Sequence, residues 1–153
     1  MKKLFLLFGL SILLFSACTK TSYNPTKQAA IDDTKIQAYI AANNITGLTK
    51  DPSGVYYKFL IKNDSVGHPT DSSTVQVTYS GKLLNGTVFD SESVTLLALT
   101  DVVKGWQIAV PFMTNKERML LIIPSGLGYG TTGSSSIPAN SVLVFTIDLI
   151  GYY

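Results

Sequence analysis

The sequence predicts an α+β domain built on an antiparallel sheet. Three observations predict it. Apolar and polar residues alternate with period two in several separate segments, an Asn-Gly pair joins two of them as a hairpin would, and only one short helical stretch interrupts the strands.

The chain opens with Met1-Lys2-Lys3 and then an apolar run from Leu4 to Phe15. Positive charge followed by such a run reads as a secretory signal peptide over residues 1–17. A permanent membrane-spanning helix needs about 18 or more apolar residues, so that reading is the weaker one. The run ends in Phe15-Ser16-Ala17-Cys18, which is similar to a bacterial lipobox apart from Phe15, where Leu is more usual. The resemblance implies cleavage before Cys18 and attachment of acyl chains such as palmitate to it. An ordinary signal peptide with an incidental cysteine is the competing reading. Several acyl chains together anchor stably, where one binds only marginally. The expected location is therefore the bacterial cell envelope, lipid-anchored to a membrane. Thr19-Lys20 lacks the acidic residues that surface-export signals resemble, which favours the periplasmic side.

Cys18 is the only cysteine, so no disulfide within the chain can form. Of the 12 Lys and Arg residues, Lys2 and Lys3 leave with the signal, and ten then balance ten Asp and Glu. With no basic stripe remaining, nucleic acid is not an expected partner. Residues 18–153 suit one compact, monomeric domain on a tether.

Residues 18–27 are polar around Pro25 and are expected to form a flexible tether, disordered from Thr19 to Lys27. Helical character runs from about Thr26 to Asn43, within an N-terminal segment spanning 28–50. Ile36, Tyr39 and Ile40 share a face, Asp32-Asp33 reads as a charged face, and Asn43-Asn44 and Gly47 end the helix. So short a helix must dock to persist. It is expected to pack on the domain without entering its pocket.

The main domain, 51–153, starts with the turn Asp51-Pro52-Ser53-Gly54. Val55, Tyr57, Phe59 and Ile61 then line one face of a strand, and a polar loop runs from Lys62 to Ser73. Val75, Val77 and Tyr79 alternate with polar neighbours up to Leu84-Asn85-Gly86-Thr87, where Asn-Gly favours a type I′ turn before Val88-Phe89. Thr95–Leu99 is a short apolar stretch, Val102–Val110 a short helix ended by Pro111, and Glu117–Ile123 a strand. A Gly/Ser/Thr loop, Ser125–Ser136, precedes the last strand, Val142–Ile150, with Leu143, Phe145, Ile147 and Leu149 on one face.

Four ordered blocks in this domain resemble one family. They are the run from Val77 to Ser91, Val102-Val103-Lys104-Gly105-Trp106, the loop Ile123-Pro124 to Tyr129-Gly130, and Ile137-Pro138 to Phe145. Together they resemble the FKBP-type peptidyl-prolyl isomerases, or rotamases. The resemblance implies a twisted antiparallel sheet wrapped around one short helix, with a proline pocket between them. It implies that Tyr79, Phe89, Asp90, Val102, Val103, Trp106, Tyr129, Ile137 and Phe145 line that pocket, with Trp106 as its floor. It also implies catalysis without cofactor or metal, on unfolded or loop segments containing proline, and macrolides as ligands.

Some positions depart from the family pattern. Leu97 or Leu99 stands where a second aromatic wall residue is common, and Ile108 and Ala109 replace an acidic residue and Gly. Lys116 replaces a Gly after Met113, and Ser134–Ser136 stands where some members have a His. These bear on substrate preference and macrolide affinity. They also favour the alternative function, a non-catalytic FKBP-like peptide-binding or chaperone module.

Residue by residue, plainer readings exist. Tyr79, Phe89, Trp106 and Phe145 suit a core as well as a pocket, Asp90 suits a turn cap, and Tyr129 suits a loop anchor. Gly126-Leu127-Gly128-Tyr129-Gly130 follows a strand but opens no helix, which excludes a dinucleotide fingerprint. His68, the only histidine, lacks partners for a metal site or a catalytic triad.

Overall fold

A computed structural model describes residues 22–153; the expected signal peptide and Cys18 lie outside the described residues. Helix α1, Pro25–Ala42, comes first, followed by strands β1 (Thr49–Lys50), β2 (Tyr56–Ile61), β3 (Thr74–Leu83) and β4 (Val88–Ala98). Helix α2 (Lys104–Ala109), β5 (Arg118–Ile123) and β6 (Leu143–Tyr152) complete the chain. The strands form one antiparallel sheet in the order β1-β2-β5-β6-β3-β4.

Helix α1 begins one residue before the expected Thr26, and residues 25–27, expected to belong to a flexible tether, are its first turn. Asn24 caps it by accepting from the Lys27 N–H at 2.9 Å, and Pro25 stands at a first-turn position whose missing N–H costs nothing. Its end is as expected. Asn44 takes a left-handed φ of 51°, and the Ile45 and Asn44 N–H groups bond back to the Ile40 and Ala41 carbonyls, which is a Schellman motif.

Period two holds on both faces of the sheet. Val55, Val75, Val77, Leu121, Ile123, Leu143, Phe145, Ile147 and Leu149 point into the main core, where Trp106 and Val110 meet them. Tyr56, Ile122, Val142 and Val144 point the other way and form a second core with Ile36 of α1, while Tyr39 and Ile40 pack against it. Burial on both faces explains why β5 reads Met-Leu-Leu-Ile-Ile without alternation. A register shift between Phe59 and Ile61 takes Ile61 off its expected face, leaving it 47% exposed.

Four further readings change. The β3–β4 turn is not type I′, because Gly86 has a positive φ and Asn85 does not. Instead Leu83 accepts from Gly86 and donates to Thr87, a three-residue loop closed by a left-handed glycine. Thr95 to Ala98 belong to the long strand β4 rather than to a separate stretch. Pro111 does not stop the helical path, which continues as a 3-10 turn over Val110–Phe112. Asp32 is not a solvated helix face: it is fully buried. Lys116, where the resemblance expects Gly, adopts φ 67° while its N–H bonds the Leu149 carbonyl at 2.7 Å.

Candidate functional site

Trp106 on α2 meets Tyr79 on β3 and Phe145 on β6 edge to face. The Trp106 ring lies 5.2 Å from Tyr79 and 5.4 Å from Phe145, at angles of 88° and 87°. These are preferred aromatic geometries. Two glycines let the rings come together. A Cβ on Gly105 would stand 2.5 Å from Ile123, so glycine allows α2 to lie directly on β5. A Cβ on Gly81 would meet Phe145 at 2.6 Å and Phe89 at 2.7 Å.

Above the rings lies a cavity of about 250 Å³. Tyr79, Trp106 and Phe145 line it together with Val102, Val103, Asp90 and Tyr129. Trp106 is 3% exposed and Phe145 4%, so the apolar surface belongs to the base of the cavity, while Tyr129 is 38% exposed at its rim. The Tyr79 hydroxyl donates to Asp90 at 2.7 Å. Burial first, then the Asp90 carboxylate, push the Tyr79 hydroxyl well above its ordinary pKa, so it stays protonated as a donor. Tyr129 is close enough to add to that shift.

The Val102-Val103 turn is braced from α2. Gln107 donates its side-chain N–H to the Val102 carbonyl at 2.8 Å, and the Val103 carbonyl accepts from Trp106 and Gln107 at 2.9 and 3.3 Å. The Tyr129 loop is closed by its own backbone. Gly128 and Gly130 both donate to the Ser125 carbonyl, at 3.0 and 2.9 Å, and Asn140 donates to the Gly130 carbonyl at 2.8 Å.

Phe89 and Ile137 stand apart from the other sequence-predicted residues. Phe89 does not line the cavity; it packs edge-on behind Phe145 with centroids 5.5 Å apart. Ile137, 3% exposed, belongs to the main core and closes the loop through a bridge to Ser134. Leu97 supplies a wall, whereas Leu99 is fully buried in the core. Asp101 also lines the cavity and was missed, although its place directly before Val102 was a usable signal. His68 is occupied structurally, its Nδ1 lying 3.1 Å from the Met113 carbonyl.

Comparison with known proteins gives this geometry a family. The family model described as FKBP-type peptidyl-prolyl cis-trans isomerase matches residues 66–150. FkpA of Aeromonas hydrophila is 34% identical over 135 residues, covering 85% of this chain and 50% of the relative. FK506-binding protein 1 of Yarrowia lipolytica is 36% identical over 105 residues, covering 64% of this chain and 97% of the relative. Among solved structures, FkpA from Escherichia coli superposes with a TM-score of 0.71 at 28% identity, covering 83% of this chain and 62% of that one. A peptidyl-prolyl cis-trans isomerase from Pseudomonas syringae gives 0.70 at 27% identity, covering 86% and 98%. The chain spans 44% and 50% of the length of two FkpA relatives it matches. By the family match over residues 66–150, which hold every residue lining the cavity, this chain belongs to the FKBP-type peptidyl-prolyl cis-trans isomerases.

Proposed function

We propose that the chain catalyses cis/trans isomerisation of Xaa-Pro bonds in unfolded or loop segments of exported proteins, using the cavity over Trp106. The observation that carries this reading is the pairing of a buried aromatic base with polar groups at the rim. Rotating the bond breaks amide conjugation, a barrier of ~18–20 kcal/mol, and makes or cuts no covalent bond. The planar amide is charge-separated, whereas the twisted amide has a ketone-like carbonyl and a pyramidal nitrogen. An apolar base favours the twisted form relatively, and only that difference accelerates the reaction. A ten-thousandfold acceleration needs only about 5.4 kcal/mol.

The polar groups divide the remaining work. The Tyr79 hydroxyl is already committed to Asp90, so its role is to hold that carboxylate at the rim. Asp90 then accepts from peptide N–H groups flanking the proline. Tyr129 and the Val103 N–H are the donors available to the rotating carbonyl. Macrolides that carry a proline-like ring are ligands of the same cavity, and the chain acts as a monomer without cofactor.

The lipobox-like Phe15 to Cys18 supports acylation at Cys18 and residence in the bacterial envelope, facing the periplasm. Pro25, where α1 begins, is seven residues beyond Cys18, which places the folded domain within roughly 25 Å of the lipid at full extension. Wild type should incorporate a fatty-acid label that Cys18→Ala loses, together with its release from membranes; a wild-type chain that takes up no label would remove this part of the reading. The rate of prolyl-peptide exchange in the presence of the chain tests catalysis itself.

A further inference from the structure

Helix α1 contributes no residue to the cavity lining, yet one of its side chains is bonded to the loop that carries Tyr129. Asp32 is fully buried, and its Oδ2 accepts from the Ser125 N–H at 2.8 Å and from the Ser125 hydroxyl at 2.6 Å. Its Oδ1 accepts from the Gln28 side chain at 2.8 Å. Ser125 is also fully buried and begins the 3-10 turn Ser125–Leu127. That turn has no cap of its own, because the residue before it is Pro124. The carboxylate of Asp32, 93 residues away in sequence, takes the place of the missing cap.

We propose that Asp32 is a positioning residue: through Ser125 it holds the Tyr129 loop against the cavity, which makes α1 part of the functional unit. Two observations point beyond simple docking. First, α1 already has an apolar anchor in Ile36 against Tyr56, Ile122 and Val144, and a buried carboxylate with no cation partner among the described residues is a costly way to add adhesion. Its bonds are directional, however, and charge-assisted bonds fix geometry where apolar contact does not. Second, the constraint is passed on within a few residues. Ser125, held on its N–H and hydroxyl side by Asp32, offers its carbonyl to both Gly128 and Gly130, the neighbours of Tyr129. Gly130 has a left-handed φ of 57°, which glycine reaches without strain but leaves as easily, so the surrounding bonds select it.

Only the activity arm of the test rests on the function proposed above. In the full chain, Asp32→Ala is compared with wild type by residue-resolved amide exchange and by kcat/KM on a prolyl tetrapeptide. The Gly128 and Gly130 amides should exchange about tenfold faster while Leu121 and Phe145 keep their protection, the pattern of local rather than global opening. The kcat/KM should fall by about threefold or more, and Asp32→Asn, which keeps an acceptor toward Ser125, should recover most of both effects. Ser125→Ala, which removes only the hydroxyl donor, gives a milder version if Asp32→Ala does not fold. Unchanged exchange at Gly128 and Gly130 would overturn the proposal, as would acceleration shared equally by the sheet. So would local opening in an active enzyme whose kcat/KM does not move. A wild-type chain without isomerase activity would instead remove the function reading, and the exchange pattern would still decide the role of Asp32.

Discussion

Tyr79 and Asp90 meet diagonally across adjacent strands, Tyr79 being paired with Glu92 and Asp90 with Gly81, and the phenol donates to the carboxylate at 2.7 Å where both border the cavity. Neither residue is free to act as its sequence position alone suggests. Tyr79 is a fixed donor to Asp90, and Asp90 keeps its remaining lone pairs for a bound peptide. Asp90→Asn is nearly isosteric and removes the charge. It should stay folded and lose kcat/KM by about ten- to a hundredfold, the scale of one hydrogen bond to a charged group at ~1.5–3 kcal/mol. Asp90 lies within β4, paired with Gly81, and so is not the turn cap the sequence also allowed; full activity in a folded Asp90→Asn would leave it only a structural partner of Tyr79.

The same pair sets a dependence on alkaline pH. Burial, then Asp90, raise the folded-state pKa of Tyr79 above its ordinary value of 10.0. The native state therefore binds this proton more tightly than the unfolded chain does. That contribution to stability is complete below about pH 10 and is lost as pH rises from there through the folded value. Denaturant midpoints should fall more steeply above pH 10 in wild type than in Tyr79→Phe. Parallel curves would show that the Tyr79 hydroxyl titrates alike in both states.

Gly81 tests whether the aromatic wall is set by backbone space. Phe145 and Phe89 occupy the volume that any side chain at this position would need. Gly81→Ala should push the Phe145 ring toward the cavity, at a stability cost of ~1–3 kcal/mol, and weaken binding of a proline ring. A variant with unaltered stability and binding would mean that the wall adapts freely.

Much of this was legible in the sequence because the signals were local. Alternation marked β2, β3 and β6, the stretch from Val102 to Val110 before Pro111 marked α2, and the ordered blocks named Tyr79, Asp90, Trp106 and Phe145, which the structure brings to one cavity. What escaped was long-range. Asp32 looked like a solvated charge because its partner, Ser125, is 93 residues away, and the second face of β5 had no meaning until α1 covered it. The turn type failed for a related reason: Asn-Gly permits two geometries, and the three-residue loop fits the register that pairs Lys82 with Val88. Phe89 was placed at the cavity by resemblance, and a motif position does not distinguish lining a cavity from backing the residue that lines it.

The most direct test of the central claim is the cis-to-trans exchange rate of a prolyl peptide as a function of chain concentration, with Trp106 emission recorded on the same samples. Because Trp106 is the only tryptophan and lines the cavity, its signal reports occupancy of the site proposed to do the chemistry. The account predicts an exchange rate that rises linearly with chain concentration, a saturable change in Trp106 emission, and loss of both in a folded Phe145→Ala variant. That variant needs a stability check, since truncating a buried Phe costs ~3–5 kcal/mol. A folded wild-type chain that changes its Trp106 emission on binding the peptide yet leaves the exchange rate at its uncatalysed value would contradict catalysis and make the chain a peptide-binding module.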